Sequence, residues 1–191
     1  MNASRGKLVV ISGPSGAGKT SVCRALKQHP DVEFSVSATT RAMRAGERDG
    51  IDYHFLSRED FQRRLGENQF LEWATYNGNL YGTPRWPMDQ ALARGKTFLV
   101  EIEVKGTRQL RERGIEGLYV FIAPPSIDEL RRRLLNRGSN DIAEIEQRVR
   151  IAEDELAAAR ETVSGRPLYD VTLENRDLDE TISRVRSLLW P

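Results

Sequence analysis

The sequence predicts an α/β fold, three layers built around a parallel sheet, on three observations. Short apolar runs rich in β-branched residues alternate with amphipathic helical stretches, the pattern of strands joined by crossover helices. One run, Leu8 to Ile11, opens directly into "GPSGAGKT" at residues 13–20, which fits G-x-x-x-x-G-K-[ST] between a strand and a helix. From about residue 35 to residue 84 the rhythm breaks into strands and turns, which marks an inserted lobe.

Each element has a local reason. After a first helix near Ser21 to Gln28, "VEFSVSATTR" alternates as a strand, and "DYHFLS" reads as another. "SREDFQRRL" starts a helix with Ser57 as N-cap, answered three residues later by Asp60. "FLEWATYNGNLYGTP" reads as two strands around an Asn-Gly turn. "TFLVEIE" is a buried central strand with acids at its carboxyl end. "KGTRQLRERG" is a helix closed by Gly114. "LYVFIAPPSIDEL" gives a buried strand and a capping box from Ser126 to Glu129, with Leu130, Leu134 and Leu135 as the apolar stripe of the helix. A long amphipathic helix over about Ile142 to Val163, a strand in "YDVTLEN" and a helix in "LDETISRVRSLL" complete the chain.

The glycine-rich segment carries the first chemistry. Gly13, Gly16 and Gly18 let successive backbone N–H groups turn inward around an anion, because no β-carbon blocks them. The helix that follows aims its positive dipole end at the same point. Lys19 reaches β- and γ-phosphate oxygens, and the Thr20 hydroxyl is a ligand for Mg²⁺. A nucleoside triphosphate site over Gly13, Pro14, Ser15, Gly16, Ala17, Gly18, Lys19 and Thr20 is the expectation.

Composition bounds the rest. The chain has 191 residues, enough for one α/β domain with small insertions. Its 29 basic and 28 acidic residues nearly cancel, so no general nucleic-acid or membrane surface is indicated. A single Cys23 excludes a disulfide framework and fits a reducing compartment. Two histidines, His29 and His54, have no companions at metal spacing. "MNASRGKLVV" lacks the apolar core of a signal peptide, so a cytoplasmic protein is expected.

The inserted lobe supplies Arg41 and Arg44, three apart, then Tyr53, Glu72, Tyr81 and Thr83. Two fork-shaped cations and two phenol donors suit a terminal phosphate, although any one alone reads as a solvated arginine or a packed tyrosine. Together with "ISGPSGAGKT", "SVSATTRAMRAGERDGIDYHF", "EWATYNGNLYGTP" and "FIAPPS…LRRRLLNRG", in this order, they make the chain resemble the guanylate kinases from about Lys7 to its end. The resemblance implies a P-loop NTPase core (1–34, 85–136 and 164–191), a GMP-binding lobe (about 35–84) and a helical lid (about 137–163). It implies transfer of the ATP γ-phosphoryl group to GMP or dGMP, with Mg²⁺, in guanine nucleotide metabolism.

By the same resemblance Arg41, Arg44, Tyr53 and Tyr81 bind the GMP phosphate. Ser37, Glu72 and Thr83 face guanine, joined by Glu103, and Asn175 stands near adenine. Arg133, Arg137 and Arg148 close on the triphosphate, where cations favour the spread charge of a dissociative transfer. The bland reading of these last three is a solvated face paired to Glu129 and Glu144. Lys19, Arg41, Arg133, Arg137 and Arg148 are the expected catalytic set. Where the family carries two aspartates after the apolar strand, this chain has Glu101 and Glu103. Glu101 is then the candidate to hold a water on Mg²⁺. A sugar-phosphate kinase or a non-catalytic binding module on the same fold are the alternatives. The first has no need of Glu72, and the second typically lacks an intact Lys19 and Thr20.

Overall fold

The computed structural model describes residues 6–136 and 142–190. In chain order, β1 (Lys7–Ser12) leads through the glycine loop into α1 (Lys19–Leu26) and β2 (Val32–Phe34). A second region follows, of β3 (Ala38–Thr39), β4 (His54–Phe55), α2 (Arg58–Gly66), β5 (Phe70–Tyr76) and β6 (Asn79–Pro84). The chain then returns through α3 (Trp86–Ala93), β7 (Thr97–Glu101), α4 (Val104–Glu112) and β8 (Leu118–Ala123). Next come α5 (Ile127–Asn136), α6 (Ile142–Ala158), a hairpin of β9 (Thr162–Val163) and β10 (Arg166–Pro167), then β11 (Val171–Glu174) and α7 (Leu178–Leu189).

The main sheet has the order β11-β8-β1-β7-β2, and every pairing in it is parallel. Side chains alternate across a strand, so β1 feeds both faces. Leu8 and Val10 join Phe98, Val100, Tyr119 and Phe121, beneath Met88 and Ala91 of α3 and Val104 and Leu110 of α4. Val9 and Ile11 join Leu99, Val120 and Ile122, beneath Val22, Cys23 and Leu26 of α1 and Val185 and Leu189 of α7. Helices therefore cover both faces, which gives the three layers. Burial pushes the Cys23 thiol well up, as befits a small packed side chain.

The second region has its own sheet, order β4-β3-β6-β5, and a small core of Ala38, Phe61, Phe70 and Leu80. Asn77 (φ 46°) and Gly78 (φ 75°) form its turn, both in the left-handed region, which an Asn-Gly hairpin demands. The Ser57 hydroxyl accepts from the Asp60 N–H at 3.0 Å, and the Ser126 hydroxyl from the Glu129 N–H at 3.1 Å.

Four readings change. "VEFSVSATTR" is two short strands in different sheets, parted at 35–37. α3 was not anticipated, and Pro87 stands in its first turn, where proline costs no hydrogen bond. The long helix stops at Ala158, and the β9–β10 hairpin takes the remainder. Leu135 is exposed, while Leu130 and Leu134 meet Ile145, Val149 and Ala152 of α6.

Phe61 is fully buried and stacks on Phe70 at 4.3 Å between ring centroids. Phe61→Ala should destabilise the fold by about 3 kcal/mol or more, read as a lowered urea midpoint.

Candidate active site

The loop after β1 is shaped by positions that exclude a side chain. Gly13, Gly16 and Gly18 have φ of 138°, 88° and 100°, where L residues are strained. A β-carbon at Gly13 would also lie 2.1 Å from the Ile122 carbonyl oxygen. α1 starts at Lys19 with no side-chain cap and no acid in its first turn, so its N-terminal field stays open to an anion. The Lys19 ammonium donates to the carbonyls of Gly13 (2.5 Å) and Pro14 (2.9 Å). Burial lowers its pKa, against the opposing pull of Glu101, Glu155 and Glu103.

The Thr20 hydroxyl donates to Glu101 Oε1 at 2.7 Å, so the two candidate metal-site residues meet across the end of the sheet. Asn175 is buried beneath the loop. Its Nδ2 donates to the Ala17 carbonyl at 2.7 Å, and its Oδ1 accepts from the Thr181 hydroxyl at 3.1 Å. Asn175, expected near adenine, thus braces the nucleotide-facing loop with its side chain.

Across a cleft of about 1380 Å³, lined by the loop residues, Ser37, Tyr53, Glu101, Glu103 and Arg148, stands the second sheet. Glu72 on β5 is the register partner of Thr83 on β6, whose hydroxyl donates to Glu72 Oε1 at 2.6 Å. Burial raises the Glu72 carboxyl, the Thr83 hydrogen bonds oppose that, and the Glu103 charge adds to the rise.

Arg41 lies over the faces of Tyr53 (5.5 Å) and Phe55 (5.8 Å), and the Tyr53 and Tyr81 rings meet edge to face at 6.1 Å. Its Nη1 and Nη2 donate to the two oxygens of Glu47 at 3.1 and 2.7 Å. The Arg44 N–H donates to the same carboxylate at 2.8 Å, while the Arg44 residue itself is exposed. Hydrogen bonds from Arg41 and from that N–H hold the Glu47 carboxyl below its ordinary range.

The second arginine set is paired within its helices. Arg133 Nε donates to Glu129 Oε1 at 2.8 Å, and its Nη2 reaches the Asn175 carbonyl at 3.0 Å. Arg148 Nη2 donates to Glu144 Oε1 at 2.6 Å. Arg137 lies outside the described residues.

The family model described as guanylate kinase matches residues 5–191. The chain belongs to the guanylate kinase family. It is 45% identical over 186 residues to the guanylate kinase of Synechocystis sp., covering 97% of this chain and 94% of that one. To the guanylate kinase of Desulfitobacterium hafniense it is 41% identical over 190 residues, covering 99% and 92%. The crystal structure of guanylate kinase from Anaplasma phagocytophilum superposes with a TM-score of 0.71 at 32% identity, covering 97% and 85%. A sugar kinase from Janibacter sp. shares the fold alone, with a TM-score of 0.53 at 18% identity over 96% and 94%. The family's reaction is ATP-dependent phosphorylation of GMP to GDP, in guanine nucleotide metabolism.

Two residues beside the expected site residues were not singled out in the sequence. Glu47 sits six residues after Arg41 in a loop with no periodicity, so only the fold shows them paired. Glu155, on α6, reaches the cleft beside Lys19, Glu103 and Lys105, and its carboxyl is pushed up to about 7, chiefly by burial. An acid whose folded pKa is raised binds more protons folded than unfolded, so it weakens the fold as pH rises from its unfolded value to its folded one. Glu155→Gln should therefore stabilise the protein at about pH 8 and change little at about pH 4, measured by denaturant unfolding at both.

Proposed function

We propose that the glycine loop holds ATP and the second sheet holds GMP, so that the γ-phosphoryl group passes across the cleft to the GMP phosphate. The observation that carries this reading is the Glu72–Thr83 pair, drawn out of bulk water on the second sheet, whose strand β5 also presents Tyr76 to the cleft. Guanine offers N–H donors at N1 and N2 and an acceptor at O6. The Glu72 carboxylate takes both donors, with Ser37, Thr83 and Glu103 completing the base site. Adenine would set its N1 lone pair against the carboxylate, and a polar site rejects a partner that leaves its groups unpaired.

Arg41, Arg44, Tyr53 and Tyr81 bind the GMP phosphate. Glu47 holds Nη1 and Nη2 of Arg41 and the Tyr81 hydroxyl shares the same guanidinium, so the phosphate meets a cation already oriented by both. On the ATP side, Lys19 exchanges its loop carbonyls for phosphate oxygens. Arg133, Arg137 and Arg148 then stabilise the charge of the moving group. No proton-abstracting base is required, since the acceptor phosphate is already an anion at neutral pH.

Thr20 and Glu101 are two adjacent hard oxygen donors, the kind that suit Mg²⁺ bound mainly through phosphates and water. The ion, when bound, neutralises charge on the β- and γ-oxygens. Thr20 would hold it directly and Glu101 would hold it through a water. ATP and GMP are the partners, and the site of action is the cytoplasm. Among the described residues no helix is long and apolar enough to cross a membrane.

ATP offered with GMP, AMP, CMP or UMP tests the reading through ADP release. GMP should be turned over best, and equal or better use of AMP would refute it. Glu72→Ala should lower kcat/KM for GMP by about 10²-fold or more and erode base preference. Lys19→Met should lower turnover by about 10²-fold or more with base preference retained.

A further inference from the structure

Glycine is the poorest helix former after proline, yet Gly106 is the third residue of α4. Its φ lies outside the left-handed region, so the backbone does not require glycine there. It sits on the buried face of the helix with Val104, Thr107 and Leu110. A β-carbon built on it would meet Glu72 Oε2 at 2.9 Å, and Cδ and Cγ of the same residue at 3.2 Å each. All three of the nearest atoms belong to one flexible side chain. At Gly13 and Gly117 the obstacle includes rigid backbone.

The helix has no freedom to back away from that contact. Gln109, one turn on, brackets the backbone of Trp73, the residue after Glu72. Its Nε2 donates to the Trp73 carbonyl at 2.8 Å, and its Oε1 accepts from the Trp73 N–H at 3.2 Å. Arg113 Nη1 reaches the carbonyls of Phe70 (2.7 Å) and Leu71 (2.9 Å). α4 is thus pinned along β5 on both sides of Glu72, and any added volume at residue 106 falls on the carboxylate.

We propose that Gly106 is a positioning residue for base selection: its missing side chain is the space in which Oε2 of Glu72 stands. The proposal rests on the reading of Glu72 as the guanine acceptor. Oε1 is held by Thr83 at 2.6 Å, so pressure on Oε2 turns the carboxylate about that bond. One oxygen keeps its place while the other leaves the plane of the base, and the two parallel acceptors that N1 and N2 require are lost.

The test compares GMP with IMP, which is GMP without the 2-amino group. In Gly106→Ala the ratio of kcat/KM for GMP over IMP should fall about tenfold or more, the scale of one charge-assisted hydrogen bond, with the KM for ATP and the thermal midpoint unchanged. Glu72→Asp withdraws the carboxylate by one methylene, so the Glu72→Asp/Gly106→Ala double variant should lose less than the two single losses combined. Retention of the GMP:IMP ratio in Gly106→Ala overturns the proposal, and so do an equal loss of ATP use or additive single effects. If Gly106→Ala fails to fold, Glu72→Ala/Gly106→Ala must fold, because the obstacle is gone, and its failure to fold is also fatal. A parent chain without preference for GMP over IMP refutes the guanine reading and this one together. A selective parent with an equally selective Gly106→Ala refutes only the positioning.

Discussion

β1 is hydrogen-bonded along both edges, to β7 on one side and β8 on the other, and the geometry of the cleft depends on that double constraint. Its register with β7 sets Ile11 beside Glu101, so the chain leaving Ser12 overhangs the acidic end of the neighbouring strand. The Thr20–Glu101 contact follows from this offset. On the other edge β8 brings the Ile122 carbonyl so close that residue 13 has to be glycine. β11, next beyond β8, leads straight into Asn175, which props the loop from below. Ligands of open parallel sheets collect beyond the carboxyl ends of the strands, and here four strands meet around one glycine loop.

Several cationic side chains expected to meet nucleotides are paired within the chain. Arg41 is held by Glu47, Arg133 by Glu129, Arg148 by Glu144, and Lys19 by two carbonyls of its own loop. Such pairs hold long side chains in few rotamers, which lowers the ordering cost of any later contact. The pairs in α5 and α6 lie between helical neighbours and are partly solvated, so they exchange partners with little loss. Arg41 is more sheltered and rests on aromatic faces, so its pair with Glu47 is the less readily exchanged. The two arginine groups therefore differ in how firmly their carboxylates hold them.

Signals carried by adjacent residues were legible in the sequence. The serine caps at Ser57 and Ser126, the Asn77-Gly78 turn, and the apolar runs of β1, β7 and β8 all stand where local chemistry places them. Readings that depended on where an amphipathic pattern stops were less secure. Residues 159–163 continue the helical composition, yet the chain turns into a hairpin whose Leu168 is buried in the main core. "VEFSVSATTR" keeps a strand-like alternation across a change of sheet, because alternation does not say which partner strand is available. Pro87 obscured α3 since a proline at a helix start resembles a proline that ends one.

The sequence by itself determined a glycine-rich loop between strand and helix, an alternating α/β frame and a set of lobe side chains whose chemistry suits a terminal phosphate. Each of these resides in spacing and side-chain chemistry that survive without coordinates. Tertiary structure decided the pairings: Thr20 with Glu101, Arg41 with Glu47, Asn175 with the loop, and Glu72 with the space left by Gly106. Such contacts join residues on separate strands, loops and helices. Distance across a fold is set by strand register and helix docking, which no local pattern of residues encodes.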